Sequence, residues 1–332
     1  MKFIRTSFTT VIFLSGLTLA PSALALNIVL TNDDSWDTQN IKNMKSALEA
    51  AGHDVIMSAP CGPQSGKGGS MVMMKAVTVN ERGTDEFCVG DTDTTKIYED
   101  YVEGTPVMAA LYGIDVAAQK KWGTKPDLVI SGPNEGNNLG YMNNNSGTLG
   151  AAMISLSRGV PAIAVSGGMS TASDDEQSKL SAQVVVDIVT QLVNTQKPDQ
   201  PLLPAYTGLN VNTPEDMKTN LGYKYTDVGW NSGGTELTFS SDLGADSLFS
   251  GYAIGSMVSA GMTQEQAESA FHAGFDGKIG LSASMGDAGD SDDNSEGVAV
   301  QQGYITISTI DGNIQASRAK VALTEQRLVG LK

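Results

Sequence analysis

Histidine is nearly absent: His53 and His272 are the only two in 332 residues. That argues against binuclear hydrolase centres built on several imidazoles, and no Arg-His-Gly run supplies a histidine nucleophile for phosphate. Cysteine is equally scarce. Cys61 and Cys88 cannot make a four-thiolate zinc centre, and neither begins a C-x5-R phosphate loop. Basic residues number 21 against 37 acidic ones, a net charge of −16. The basic footprint of a nucleic-acid binder is missing, so no polymeric nucleic acid is expected as a partner. A small anion would need a cation or backbone N–H groups to hold it. Length is not limiting: a chain of this size buries a large core without staples, as one large domain or two small ones.

The N-terminal stretch carries Lys2 and Arg5, then a mostly apolar run, then Ala23-Leu24-Ala25. These are the three parts of a secretory signal peptide, and cleavage is expected after Ala25. An uncleaved membrane anchor is the alternative for the same segment. Removing residues 1–25 takes away two basic and no acidic side chains, so the net charge becomes −18. No later apolar run is long enough to span a bilayer, so a periplasmic or secreted product free of the membrane is expected. In an oxidising compartment Cys61 and Cys88 are candidates for a disulfide; two buried free thiols are the alternative.

Beyond the leader the chain alternates. Asn27–Thr31 is a short apolar run that reads as a buried strand. Ile41, Met44, Ala47, Leu48 and Ala51 fall at helical spacing, with Gly52 as the stop. Val55–Ala59 is the next strand, so a β-α-β unit with parallel strands is expected. Thr105-Pro106 opens a helix, Asp127–Ser131 and Ala162–Ser166 read as strands, and Thr148–Ser157 as a helix of small residues. Ser173 and Glu176 have capping-box spacing before a helix, and Leu209–Asn212 is a further strand. The pattern predicts an α/β fold with a Rossmann-like, doubly wound, mostly parallel sheet over residues 26–215. Residues 216–332 read as an appended region of hairpins and loops within the same single domain, 26–332. There Gly-, Ser- and Thr-rich residues 222–260 look strand-like, Thr263–Ala273 looks helical, residues 286–297 form an acidic loop, and Gly303–Ile310 alternates like a strand. His53 follows a helix stop and His272 ends a helix, so both read as surface cap residues.

Open α/β sheets bind ligands beyond the carboxyl ends of their strands. The segments there are Asn32-Asp33-Asp34, Gln64 to Ser70, Gly132 to Asn138 and Asn145 to Thr148. Asp33 and Asp34 with neutral oxygen donors suit one hard divalent cation, Mg²⁺ or Mn²⁺. Taken alone, the aspartate pair also fits a solvated turn before a helix. Glycine turns expose backbone N–H groups, and Thr148 opens a helix; both can hold a phosphate. A cation on a phosphoryl oxygen polarises phosphorus and activates a water, whose proton a nearby Asp can take.

In this order the segments resemble the SurE family, the survival-protein phosphatases acting on nucleoside monophosphates. The matching stretches are NIVLTNDD (27–34), A-P-x3-Q-S-G-x3-S (59–70), V-x-G-T-P (102–106), P-D-L-V-I-S-G-x-N-x-G-x-N-L-G (126–140), S-G-T-x2-A-A-M (146–153), GVPAIAVS (159–166) and L-N-V-N-x-P (209–214). A weaker match, A-V-x2-G-Y-I-T-I-S, follows at 299–308. The resemblance implies Asp33, Asp34, Ser65 and Asn134 as metal ligands, with the aspartates catalytic. It implies a phosphate site lined by Ser146, Gly147 and Thr148; the glycine turns at Gly66 and Gly136 and the amides of Asn32 and Asn138 read as further phosphate contacts beside it. It also implies a dimer or tetramer exchanging an extended C-terminal arm.

Several positions depart from the family pattern. Ser35 stands where a Gly is usual, Cys61 where an Asp is usual, and Gly69 and Met108 replace an Asn or His and an Asp. Asn313 and Ser317 align with an Asp and a His that some members bring to a neighbour's site. Glu296 sits where the family often has an Asp, and no role is assigned to it. The metal quartet is intact while the nucleoside side is altered. The expected function is therefore an exported, metal-dependent phosphomonoesterase, a 5'/3'-nucleotidase or acid phosphatase acting on nucleoside monophosphates or other small phosphomonoesters. The alternative is a non-catalytic secreted protein keeping the metal and phosphate pocket. An esterase using Ser65 or Ser146 lacks a G-x-S-x-G elbow.

Overall fold

The computed structural model describes residues 24–97, 99–259, 261–285 and 291–331. The expected signal peptide, apart from its last two residues, and part of the acidic loop lie outside them. No helix among the described residues is long and apolar enough to cross a membrane.

β1 (Asn27–Thr31), α1 (Gln39–Ala50) and β2 (Asp54–Pro60) form the expected parallel unit, with Ile28 beside Val55. α1 forms because Ile41, Met44 and Leu48 recur on one face and are all buried without exposure. Gly52 follows at φ +93°, a conformation that favours glycine, and ends it. β3 (Val79–Gly83) and β4 (Glu86–Val89) make an antiparallel hairpin outside β2. Sequence patterning does not announce it, because an edge strand with a solvated face needs no apolar run. α2 (Pro106–Tyr112) is capped by the Thr105 hydroxyl, which accepts from the Met108 N–H, and passes through a π turn at Gly113–Ala117 into α3 (Ala118–Trp122). β5 (Leu128–Glu135), α4 (Gly147–Ser157), β6 (Ala162–Gly167), α5 (Asp175–Thr195) and β7 (Thr207–Asn212) continue the alternation. The cap of α5 differs from expectation. Asp174 accepts from the N–H groups of Glu176 and Gln177, so no Ser173–Glu176 box forms. A carboxylate is favoured there because it meets the positive end of the helix.

After β8 (Tyr223–Thr226) come β9 (Thr235–Ser240), α6 (Ser247–Ser259), α7 (Gln264–Phe275) and β10 (Gly280–Met285). Then follow α8 (Glu296–Gln301), β11 (Ile305–Asp311) and α9 (Arg318–Arg327). α7 carries the expected box, with Thr263 and Gln266 bonding reciprocally. α6 corrects the strand-like reading of its segment. Its glycines hide the helix in the sequence, but Phe249 packs on Phe271 and Phe275 of α7, and that contact favours the helix. β9 and β10 pair antiparallel as a separate ribbon, with the two helices between them in sequence.

The main sheet runs β3-β4-β2-β1-β5-β6-β7-β11-β8. β4, β2, β1, β5, β6 and β7 are parallel to their neighbours in that run, and β11 is antiparallel to β7. The sheet thus takes two strands, β8 and β11, from beyond residue 215. Its two faces follow the period-two alternation of β1: Ile28 and Leu30 join a core under α1 and α5, while Val29 joins one under α2 and α4. The chain leaves β1 toward β2 over one face and returns to β5 over the other. The strand order therefore reverses between β1 and β5, which opens a crevice at their carboxyl ends.

Two further positions bear on the sequence reading. His53 is buried, not a surface cap; its Nδ1 accepts from the Leu26 N–H at 3.2 Å, and burial lowers its pKa. Cys61 and Cys88 form a disulfide, closing 27 residues between the ends of β2 and β4. Replacing both cysteines by serine is expected to destabilise the chain by ~3 kcal/mol, the loop-closure entropy for a loop of this length. Denaturant unfolding measures it, and an unchanged midpoint would count against it.

Candidate functional site

Asn32, Asp33 and Asp34 leave β1 at the crevice. The loop after β2 is tied to them, since the Gln64 N–H donates to the Asp33 carbonyl at 2.7 Å. Asn134 comes from the end of β5, where Gly132 (φ +117°) lies so close to Val165 that a Cβ would meet its carbonyl oxygen. Asp33, Ser65, Gly66, Asn134, Gly136, Asn138 and Ser146 line one cavity of about 400 Å³. A larger groove of about 610 Å³ lies elsewhere beside α4, with Leu149, Met153 and Ile310 in its wall and neither aspartate. The charged chemistry lies in the smaller cavity.

Asp33 is buried, and its carboxylate sits at the N-terminus of α4. Thr148 donates its hydroxyl to Oδ1 at 2.8 Å, and the N–H groups of Gly147 and Thr148 also donate to the carboxylate. Gly147 is required there because a Cβ would come within 3 Å of Asp33 and Pro106. Asp34 accepts from the Glu135 N–H through Oδ2 at 2.8 Å. Burial raises both carboxyl pKa values. That of Asp34 reaches about 7, with the charges of Asp33 and Glu135 adding to the desolvation.

Several residues expected to contact phosphate have other partners. Thr148 is fully buried and committed to Asp33. Asn138 donates to Thr148 and to Ser166, and its backbone is held by Asn210 and Asn212 of β7. The helix N-terminus thus serves Asp33 first, because a buried carboxylate needs those donors. Ser146 caps α4 by accepting from the Leu149 N–H, which leaves its own hydroxyl proton to donate. Asn32 accepts from the Asp33 N–H and so shapes the turn. Trp36 packs on the α1 and α5 core with Lys42 and Arg82 over its ring, and is not among the cavity residues.

The donor set suits a hard cation. Asp33 and Asp34 are two carboxylates taken out of water side by side, a cost that a bound cation would offset, and Ser65 and Asn134 add neutral oxygens. Asn134 gives its amide nitrogen to the Gly136 carbonyl at 2.6 Å, which leaves the amide oxygen for a ligand. No group of three or more His, Cys, Asp or Glu suited to a metal occurs among the described residues. A cation here would rest on two carboxylates.

Glu296 belongs to the framework of this site, a role the sequence does not reveal. It is fully buried. Oε1 accepts from Gly140 N–H (3.1 Å) and Asn143 (2.8 Å), and Oε2 from Asn210 (2.9 Å) and Ser308 (2.8 Å). It ties the turn at Gly140–Asn145, which leads into Ser146, to β7 and β11. Its place in a stretch that reads as an acidic loop conceals this, and only the pairing of β7 with β11 brings the partners together.

Ser35 sits at φ +121°, a conformation that favours glycine, and donates its hydroxyl to Asp37 at 2.7 Å. A non-glycine residue in that region costs roughly 1–3 kcal/mol, so Ser35→Gly is expected to stabilise the chain by about 1 kcal/mol after the lost hydrogen bond and glycine's extra chain entropy. Thermal unfolding reads it, and a fall in Tm would contradict it.

The family model for survival protein SurE matches residues 28–235. An acid phosphatase of Yarrowia lipolytica is 39% identical over 202 residues, 56% of this chain and 56% of that protein. A 5'-nucleotidase SurE of Haemophilus ducreyi is 30% identical over 222 residues, 65% of this chain and 79% of that protein. The solved structure of the SurE protein from Aquifex aeolicus superposes with a TM-score of 0.65 at 25% identity, covering 91% of this chain and 99% of that one. With the strand order, the crevice and the motif segments all in agreement, this chain belongs to the SurE family.

Proposed function

We propose that this chain is an exported phosphomonoesterase, dependent on a divalent cation, acting on small phosphomonoesters with nucleoside monophosphates among them. Its enzyme class, phosphoric monoester hydrolase, is the one its relatives' names share. The observation that carries the reading is the Asp33–Asp34 pair, Asp33 buried and Asp34 half-buried, with Asp33 opening onto the same cavity as Ser65 and Asn134.

Asp33, Asp34, Ser65 and Asn134 would hold one Mg²⁺ or Mn²⁺. When bound, such a cation neutralises phosphoryl charge and lowers the pKa of water. The residues of the chain supply the rest. Thr148 and the first turn of α4 fix Asp33, and the Glu135 N–H fixes Asp34. Without a cation, burial and the charges of Asp33 and Glu135 raise the Asp34 pKa to about 7; a bound cation would favour its ionised form. The glycine turns at Gly66 and Gly136 and the free Ser146 hydroxyl proton border the cavity and would hold the phosphate.

Export is supported by the Cys61–Cys88 disulfide, which an oxidising compartment favours. Mass determination of the mature product is expected to place its first residue at Leu26. Self-association is supported by α9, which buries no residue within the chain; light scattering is expected to find a dimer or tetramer.

A panel of phosphomonoesters assayed with several metals tests the function. EDTA is expected to abolish turnover, and Mg²⁺ or Mn²⁺ to restore it. No turnover across the panel, with ligand binding detected by calorimetry, would favour the non-catalytic reading.

A further inference from the structure

The cavity that holds Asp33 has a second kind of wall. Leu237 of β9 and Leu281 of β10 line it together with Ser65 and Asn134. Both leucines belong to the ribbon, and neither falls in the part of the chain matched by the family model, which ends at residue 235. Cross-strand pairing puts Leu281 opposite Phe239, with Leu237 two residues along the same strand, so all three share one face of the ribbon. That face is open: Leu237 is 38% exposed, Leu281 58% and Phe239 73%. Large apolar side chains left exposed beside a polar, carboxylate-bearing cavity mark a surface with something to cover.

The ribbon is held in place. Tyr141, in the turn leading to Ser146, donates its hydroxyl to the Thr235 carbonyl and accepts from the Leu237 N–H, both at 3.2 Å. Gly280 of β10 lies so close to Leu243 that a Cβ would overlap it, and α6 packs against β10. The apolar face is therefore a fixed wall, tied through Tyr141 to the same turn that delivers Ser146.

We propose that the β9–β10 ribbon is a leaving-group wall: Leu237 and Leu281 select phosphomonoesters whose alcohol carries an apolar or aromatic group. This rests on the phosphate binding beside Asp33, as read above. With the phosphate there, the ester oxygen and its organic group occupy the rest of a cavity of about 400 Å³, against the two leucines. No new bond chemistry is involved; the wall adds binding that grows with the apolar area of the alcohol.

Methyl, butyl and hexyl phosphate are a suitable series, because the esters have similar intrinsic reactivity and differ in apolar length. In the metal-loaded full-length protein, kcat/KM is expected to rise by about fourfold per methylene buried against the wall. Leu237→Ser and Leu281→Ser are expected to flatten this slope, with Tm and circular dichroism checked for each. Equal kcat/KM across the series in the unmodified protein would overturn the wall, as would serine variants that are folded and keep the full slope. Absence of hydrolysis of every ester would instead overturn the phosphatase reading. If either serine variant fails to fold, Leu237→Thr and Leu281→Thr give the same comparison at strand positions that favour threonine.

Discussion

Asp33→Asn and Asp34→Asn are each expected to lower kcat/KM on a small phosphomonoester by about 10³-fold, equivalent to losing roughly 4 kcal/mol of transition-state charge stabilisation. Each substitution keeps the shape of the side chain and one oxygen acceptor. In Asp33→Asn the new amide oxygen can still accept from Thr148, and in Asp34→Asn it can still accept from the Glu135 N–H, so the turn survives. What is lost is the charge that holds the cation. The same change relieves a cost in the metal-free protein. Asp34 has its pKa raised from 3.8 to about 7 by burial and by Asp33. For an acid raised in this way, the folded state binds the extra proton, so folding is favoured at low pH. That stability is present below about pH 4 and is lost as pH rises through about 7. Asp34→Asn removes this dependence. The variant is therefore expected to be inactive yet to melt higher than the parent at pH 8 with metal removed. Full activity in both variants would refute the site, and a lower metal-free melting point at pH 8 would refute the electrostatic account.

Glu296→Ala is expected to destabilise the chain by about 3 kcal/mol or more, because four donors lose their acceptor in a place water does not reach. Those donors are the Gly140 N–H, the Asn143 and Asn210 amides and the Ser308 hydroxyl. Burial raises the Glu296 pKa from 4.5 to about 7, and the four hydrogen bonds offset only part of that. The sign matches that of Asp34: this contribution is present below about pH 4.5 and lost as pH rises through about 7. Glu296→Gln keeps most of the shape and removes the titration, so its melting temperature is expected to vary less between pH 5 and 8. Denaturant unfolding of both variants across that range is the measurement. An Ala variant as stable as the parent would show that the network does not support the turn.

The parallel core was legible because its signals are local. β1 is a run of apolar residues between a small-residue stretch and Asn32-Asp33-Asp34, α1 repeats its apolar face every turn, and Thr105-Pro106 announces α2. That these loops meet around one cavity was legible for a related reason: in a doubly wound sheet, loops at the carboxyl ends of the strands come together. The partners within the site were not. That Thr148 and the start of α4 serve Asp33 depends on how closely Gly147 lets the helix approach the β1 loop, a distance between segments more than 100 residues apart. His53, which follows a helix stop and so reads as a surface residue, is drawn inside by the Leu26 N–H at the start of β1.

The second half divides along the same line. Alternation in Gly303–Ile310 and the Thr263–Gln266 box are properties of short windows, and both elements form where the chain marks them. The position of β11 beside β7, the helix α6 inside a glycine-rich stretch, and the ribbon over the cavity are set by packing partners far away in sequence. Hydrogen-bond propensity and apolar period act over a few residues, so the sequence carries element type and the chemistry at strand ends. Which carboxylate is buried, which hydroxyl is committed and which leucines line the cavity depend on long-range close packing, and that exists only once the sheet has assembled.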